Sequence, residues 1–437
     1  MKRMLLPLAA CVLAANGSLC YGQTGGNALG AAEKAYVLSR FCTEVKYNFA
    51  YYNKLAFDFD SLCMASLPSL AATSSDDDFL KAMQALCARL DDGHTYIYAA
   101  NTPGKQDEWV RPFPMETKRI GGRVFVTRVY SSFLEAQGVC EKCEILEIDG
   151  EKVLDYGNRH VRPYLSSSTP QWADYAPFGS FGLTKDKGTK VSRITFRSPG
   201  GKVFTVESSR NLSWDMQESR QAIRFRTLGG NIGLLSVSSF QDFDFSRTYF
   251  DKLWGGILET DALVIDIRDN GGGNSSHADY LMSHFSNRPV RLGAWDSPMY
   301  IAAHASWHYP PERYMQTPVP LRPASGKEIY LKPVVLLVNA TTFSSAENFC
   351  VAFKGARRGK IIGTPTGGST GNPISIDLGY GIGCCICTKH ELDADGNEFV
   401  GVGIRPDIVV EEDADLFVQG RDNVVEKAVE YLKTQMK

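Results

Sequence analysis

Apolar positions along this chain change their spacing from one region to the next. Positions three and four apart recur through Ala31-Ala32-Glu33-Lys34-Ala35-Tyr36-Val37-Leu38 and through Asp78-Phe79-Leu80-Lys81-Ala82-Met83-Gln84-Ala85-Leu86. That period predicts helices and a small helical N-terminal domain. From 116 to 208 the pattern breaks into short stretches that read as strands. From about 211 onward, buried runs at Gly233 to Val237, Ala262 to Ile267 and Val334 to Asn339 alternate with helical periods. A helix is expected over 345–358 and a terminal one near Asn423 to Lys433. Strand and helix alternating in this way predict an α/β core.

At 437 residues the chain is too long for one ordinary core, so two to three domains are expected. The expected division is a signal peptide over 1–22, the helical domain over 28–115, a β domain over 116–210 and the α/β core over 211–437. Within the β domain, Glu144-Ile145-Leu146-Glu147-Ile148-Asp149-Gly150-Glu151-Lys152-Val153 resembles the carboxylate-side strand and turn of a PDZ module. Such a module holds extended peptide by adding a strand to a sheet edge; the alternative is a spacer that binds nothing.

Lys2 and Arg3 precede the apolar stretch Met4 to Ala15, which is too short to span a bilayer and reads as a signal peptide cleaved after Gly22. The protein is therefore expected to be exported, to a periplasm or outside the cell. Leu8-Ala9-Ala10-Cys11 also resembles a lipoprotein signal, and a membrane becomes a partner only through such an anchor. A formal net charge of -2 leaves no basic footprint and excludes nucleic acid as a partner. Cys11 and Cys20, two of the eleven cysteines, lie in the leader, leaving an odd number. Cys140-Glu141-Lys142-Cys143 reads as a redox pair or half a metal site, and Cys384-Cys385-Ile386-Cys387 with His390 invites the same reading. Buried thiols or a disulfide suit both better, and neither a metal nor a cofactor is expected.

Three distant segments carry the chemistry: Asp92-Gly93-His94-Thr95, Asp266-Ile267-Arg268-Asp269-Asn270-Gly271-Gly272-Gly273 and Thr342-Phe343-Ser344-Ser345-Ala346-Glu347. Acyl transfer needs a serine whose proton a base removes, and N–H donors for the oxyanion. Taken singly, each segment has a plainer reading. Ser344-x-x-Glu347 is also a capping box, His94 a structural histidine, and the glycine run a tight turn that lacks a nucleotide-binding pattern.

Together these segments resemble the tail-specific, or C-terminal processing, serine peptidase family. The branch is the one nearer the tricorn core and the repeats of the interphotoreceptor retinoid-binding protein. Further matches are Ile232-Gly233-Leu234-Leu235 with Ser239-Phe240, Ile362-Gly363-Thr364-Pro365-Thr366-Gly367-Gly368 and Gly401-Val402-Gly403-Ile404-Arg405-Pro406-Asp407. The resemblance implies a crotonase-like ββα core, Ser344 as nucleophile, and the amides of Gly272 and Ser345 as the oxyanion hole. It also implies His94 as general base. The processing branch instead places a lysine a helix and a loop after its serine, and that position here is Ser369. Substitution of Ser369 is accordingly expected to be mild.

Tricorn-like members carry a serine before the histidine and a later glutamate; here the preceding residue is Gly93. Glu398 is the candidate acid to orient His94, with Glu391 competing. His304-Ala305-Ser306-Trp307-His308 lacks the glutamate of a zincin motif, and 288–330 reads as an irregular insertion over the cleft. The function expected is an exported serine endopeptidase acting on unfolded or C-terminal peptide segments. A noncatalytic peptide- or ligand-binding protein on the same fold is the alternative, and ester hydrolysis a third reading.

Overall fold

The computed structural model describes residues 28–99, 110–111, 113–183, 186–187, 190–209, 211–215 and 221–436. The expected signal peptide and the lipoprotein motif lie outside the described residues.

At the centre is a six-stranded sheet in the order Ile223–Leu228, Ile232–Val237, Ala262–Asp266, Val334–Val338, Gly359–Gly363 and Ile408–Val409. The first pair is antiparallel and the rest are parallel. Val334–Val338 is buried at every position, because both faces of the sheet are covered and a strand there reads as a continuous apolar run. Its side chains alternate between the layers. Leu336 and Val338 join a core with the helices Arg247–Leu258, Ser275–Ser283 and Ser345–Gly355, whereas Val335 and Leu337 pack on Val424, Val425, Ala428 and Leu432 of the terminal helix Asn423–Gln435. Parallel neighbours require crossovers, so the loops at the strand ends gather on one edge of the sheet.

Three helices, Ala31–Asn48, Phe59–Ala71 and Asp76–Ala88, form the N-terminal layer. Asp58 and Ser75 cap the second and third by accepting from backbone N–H groups of the first turn, and a Cys42–Cys63 disulfide joins the first two. This layer does not close on itself. Its core takes in Leu378, Ile382, Cys384, Ile386 and Cys387 from the hairpin Ile374–Gly379 and Ile382–Ile386. Tyr96–Ala99 pairs with that hairpin, so residues numbered within the expected α/β core complete the helical one. The residues just before Tyr96 are thereby fixed against the far end of the chain.

An antiparallel sheet, Met115–Ile120, Arg123–Val129, Glu144–Ile148, Val191–Arg197 and Val203–Ser209, has its own apolar core with the helix Val153–His160. Residues 174–178 are tied to one face of its Met115–Ile120 strand: Thr117 Oγ1 donates to the Phe178 carbonyl at 2.9 Å and Arg119 donates to the Asp174 carbonyl at 2.6 Å.

Residues 288–330 are more regular than their composition suggests. Trp295–Met299 pairs with Glu312–Gln316 and with His390–Glu391. Buried Asp296 anchors the ladder, accepting from His390 Nδ1 at 2.8 Å and from Arg313. This pairing joins positions about ninety residues apart, which local patterning does not register. His304 pairs with Glu312 while His308 lies beyond the short helix Ala302–Ser306 at φ 57°, so the two histidines do not share a helical face.

Candidate active site

The buried strand Val334–Val338 runs into a turn and then into the helix Ser345–Gly355, with Ser344 between them at φ 58° and ψ -127°. A serine held at positive φ costs roughly 1–3 kcal/mol and persists only where its surroundings over-determine it. Three backbone bonds do so: Ser344 N–H to the Ser369 carbonyl at 3.0 Å, Phe343 N–H to the Asn270 carbonyl at 3.0 Å, and Gly367 N–H to the Thr342 carbonyl at 2.9 Å. The capping box is not formed, for the Ser344 hydroxyl makes no cap. It faces His94 instead, 3.0 Å from Nε2.

His94 is placed by the turn before Tyr96–Ala99, where its own N–H donates to Asp92 Oδ1 at 3.0 Å. The ring lies flat on Phe343, 4.7 Å between centroids and 9° between planes, and Trp172 stacks on the other side of Phe343 at 4.3 Å. Burial pushes the imidazole down to about 4 against the opposing charge of Glu391, so the ring is neutral at neutral pH and free to accept a proton at Nε2. That tautomer carries its proton on Nδ1, which faces Ser369 Oγ at 2.8 Å.

Ser369 is therefore the group at the far side of the ring, and Glu398 is not. Glu398 sits half-exposed beside Lys54 at 2.7 Å and His390 Nε2 at 2.9 Å. The tight turn over 393–397, pinned by Asp393 and closed by the Leu392–Glu398 bridge, directs it toward the helical layer. Glu391 is buried and donates no geometry to the ring either. Its carboxylate accepts from Asn348 Nδ2 at 3.2 Å and pairs with Lys389; burial works to raise its pKa, and the Lys389 charge together with hydrogen bonds from Lys389, Thr370 and Asn348 holds it below the ordinary range.

The glycine before the histidine now has a steric reason. A Cβ on Gly93 would stand 2.9 Å from the Phe343 ring and 3.2 Å from Ser369 Oγ, so a side chain there would press first on the Phe343 ring and then on the hydroxyl of Ser369. Ser369 in turn is held from behind. Glu347, fully buried, accepts from Ser369 N–H at 2.8 Å, Gly368 N–H at 2.8 Å and Thr366 Oγ1 at 2.5 Å. Burial pushes Glu347 up to about 7, with those donors pulling the other way. Sequence reading missed both roles: Glu347 was absorbed into a capping pattern and Ser369 registered only as a missing lysine. Ser168, Thr169 and Gln171 were missed as well. The Ser168 hydroxyl accepts from Gly93 N–H at 2.9 Å, Thr169 Oγ1 donates to the Gly367 carbonyl at 2.8 Å and Gln171 Nε2 to the Thr366 carbonyl at 2.9 Å.

Of the two expected oxyanion donors, the Ser345 N–H opens its helix and has no acceptor within it. Gly272, at φ 92°, packs so closely that a Cβ would meet Ser344 Cβ at 2.6 Å, which brings its backbone to the nucleophile. Its N–H, however, is taken by Asn270 Oδ1 at 2.9 Å. That hydrogen bond must open or be shared before Gly272 serves an oxyanion.

A model of peptidase family S41 matches residues 231–410. The chain carries a peptidase family S41 domain. The match includes Gly272, Ser344, Ser345 and Ser369, while His94 reaches the S41 domain from outside it. A carboxy-terminal-processing protease of Bartonella bacilliformis is 33% identical over 248 residues, covering 53% of this chain and 54% of that protein. The chain thus spans about half the length of the curated relative it matches. These matches class the domain among the serine peptidases, which are hydrolases. Among solved structures, mature CPAF complexed with lactacystin is similar at a TM-score of 0.68 and 16% identity, covering 93% of this chain and 98% of that one. The photosystem II D1 C-terminal processing protease is similar at 0.50 and 16%, covering 88% and 95%. At such identities the likeness concerns the fold, an S41 peptidase fold of several sheets and helices. Among the described residues no helix is long and apolar enough to cross a membrane.

Proposed function

We propose that this chain is an exported serine endopeptidase that cleaves unfolded or C-terminal segments of polypeptides through an acyl-enzyme on Ser344. The observation that carries the reading is the line Ser344 Oγ, His94 Nε2, His94 Nδ1, Ser369 Oγ, with separations of 3.0 and 2.8 Å at its two ends. In the first half-reaction Ser344 Oγ attacks the scissile carbonyl carbon as its proton passes to His94 Nε2. The imidazolium shares its Nδ1 proton with Ser369 Oγ. The oxyanion takes the Ser345 N–H and, once Asn270 Oδ1 yields it, the Gly272 N–H. Collapse expels the amine, which receives the proton from His94; water then repeats the steps and frees the acid product.

Several features support the details. A lysine mechanism has no candidate at the Ser369 position, which holds a hydroxyl against the histidine. The processing activity named for the Bartonella relative favours C-terminal segments as substrates. The Cys42–Cys63 disulfide suits an oxidising compartment and hence export. We read the antiparallel sheet as a PDZ-like module that positions the site, since the segment between its strands carries Ser168, Thr169 and Gln171, which bond Gly93, Gly367 and Thr366. A noncatalytic binding protein has no use for a serine held at positive φ against a neutral histidine. Hydrolysis of an unfolded polypeptide by the wild type, with a loss of at least about 10³-fold in Ser344→Ala, is the expected result; equal hydrolysis by both would overturn the reading.

A further inference from the structure

Seven free cysteines are found among the described residues, and Cys140 alone is exposed. Its Sγ lies 3.4 Å from Cys143 Sγ, and Cys143 is fully buried. The two differ in how they are held. Cys143 is held at the entry to the strand Glu144–Ile148, its N–H donating to the Cys140 carbonyl at 3.1 Å and its carbonyl accepting from Val126 N–H of the neighbouring strand at 2.8 Å. Lys142, at φ 68°, turns the chain so that the i and i+3 thiols meet. Cys87, Cys350, Cys384, Cys385 and Cys387 are all buried, which leaves one accessible thiol among the described residues, and it has a second thiol directly behind it.

We propose that Cys140 and Cys143 form a thiol–disulfide exchange site that takes small disulfides of the glutathione class. The thiolate of Cys140 attacks one sulfur of the small disulfide, the S–S bond breaks, and one thiolate leaves. Cys143 then attacks Cys140 Sγ as its proton passes to the departing small thiolate, closing the intramolecular disulfide and expelling the second thiol. Two protein thiols are oxidised and one small disulfide is reduced to two thiols, so electrons and protons balance. The order follows from burial: desolvation raises the Cys143 thiol to about 12, so it is a poor first nucleophile, and the exposed sulfur is the one a disulfide can reach. Closure needs the sulfurs to move from 3.4 Å to about 2.0 Å, a shift that the turn carrying Cys140 supplies while Cys143 stays at the strand entry.

The test treats the folded full-length protein with oxidised glutathione, alkylates the remaining thiols and digests with trypsin without reduction. The expected result is that fragments Val129–Lys142 and Cys143–Lys152 run joined and separate on reduction, and that Cys143→Ser instead accumulates a glutathione adduct on Cys140. A wild type that retains glutathione on Cys140 with Cys143 alkylated, or in which neither cysteine is oxidised, would overturn the proposal. Linkage that appears only after unfolding would overturn it too.

Discussion

The Ser369 hydroxyl stands 2.8 Å from His94 Nδ1 and 3.2 Å from where a Cβ on Gly93 would lie. Two positions far apart in sequence thus exchange one role, the group that holds the imidazole. Ser369→Ala is therefore predicted to reduce kcat by about 10²-fold with little change in KM, because a base free to rotate loses its alignment with Ser344. Steady-state kinetics on a peptide substrate check this. A loss below about 2-fold would return Ser369 to the mild role its place in the sequence suggests.

Gly93→Ser tests the same exchange from the other side. The added atoms meet Phe343 and Ser369 Oγ, so activity is predicted to fall by more than about 10-fold as the ring stack beneath His94 shifts. Retained activity would mean that the turn has room the present packing does not indicate.

Because burial holds His94 near 4 rather than 6.5, the acid limb of the rate is displaced. The imidazole must be neutral to take the serine proton, so activity is lost as pH falls through the folded pKa and should persist well below pH 6. A profile of kcat/KM against pH measures this directly. An apparent pKa near 7 that vanishes in Glu347→Gln would assign the limb to Glu347, which burial raises to about that value.

Glu398→Gln is predicted to leave turnover within about 3-fold, since its partners are Lys54 and His390 rather than His94. As a half-exposed ion pair it contributes at most about 1 kcal/mol to stability. A loss of kcat comparable with that of Ser369→Ala would contradict the geometry at the ring.

The proposed nucleophile and base were legible only through the family resemblance, which short local motifs carry: Ser344 where a five-residue apolar strand meets a helix, and His94 at the entry to a strand. Three of the core strands were legible from pattern alone, since buried parallel strands appear as continuous apolar runs. What local pattern cannot express is which loop returns to a given side chain. Ser369 reaches His94 across 275 positions, and Glu347 is separated by 22 positions from the amide it holds. Glu398 lies three residues before Gly401-Val402-Gly403-Ile404, yet the turn at Asp393 aims it away from His94. The absent side chain at Gly93 was the one clue to Ser369: a missing hydroxyl beside a catalytic histidine calls for another hydroxyl nearby.

The most direct test of the central claim is covalent labelling of the folded protein with a fluorophosphonate, followed over time by intact mass and located by peptide mapping. A single adduct on Ser344, formed at least about 10²-fold more slowly in His94→Ala, is the predicted result. An adduct on another residue, or equal rates with and without the imidazole, would contradict it.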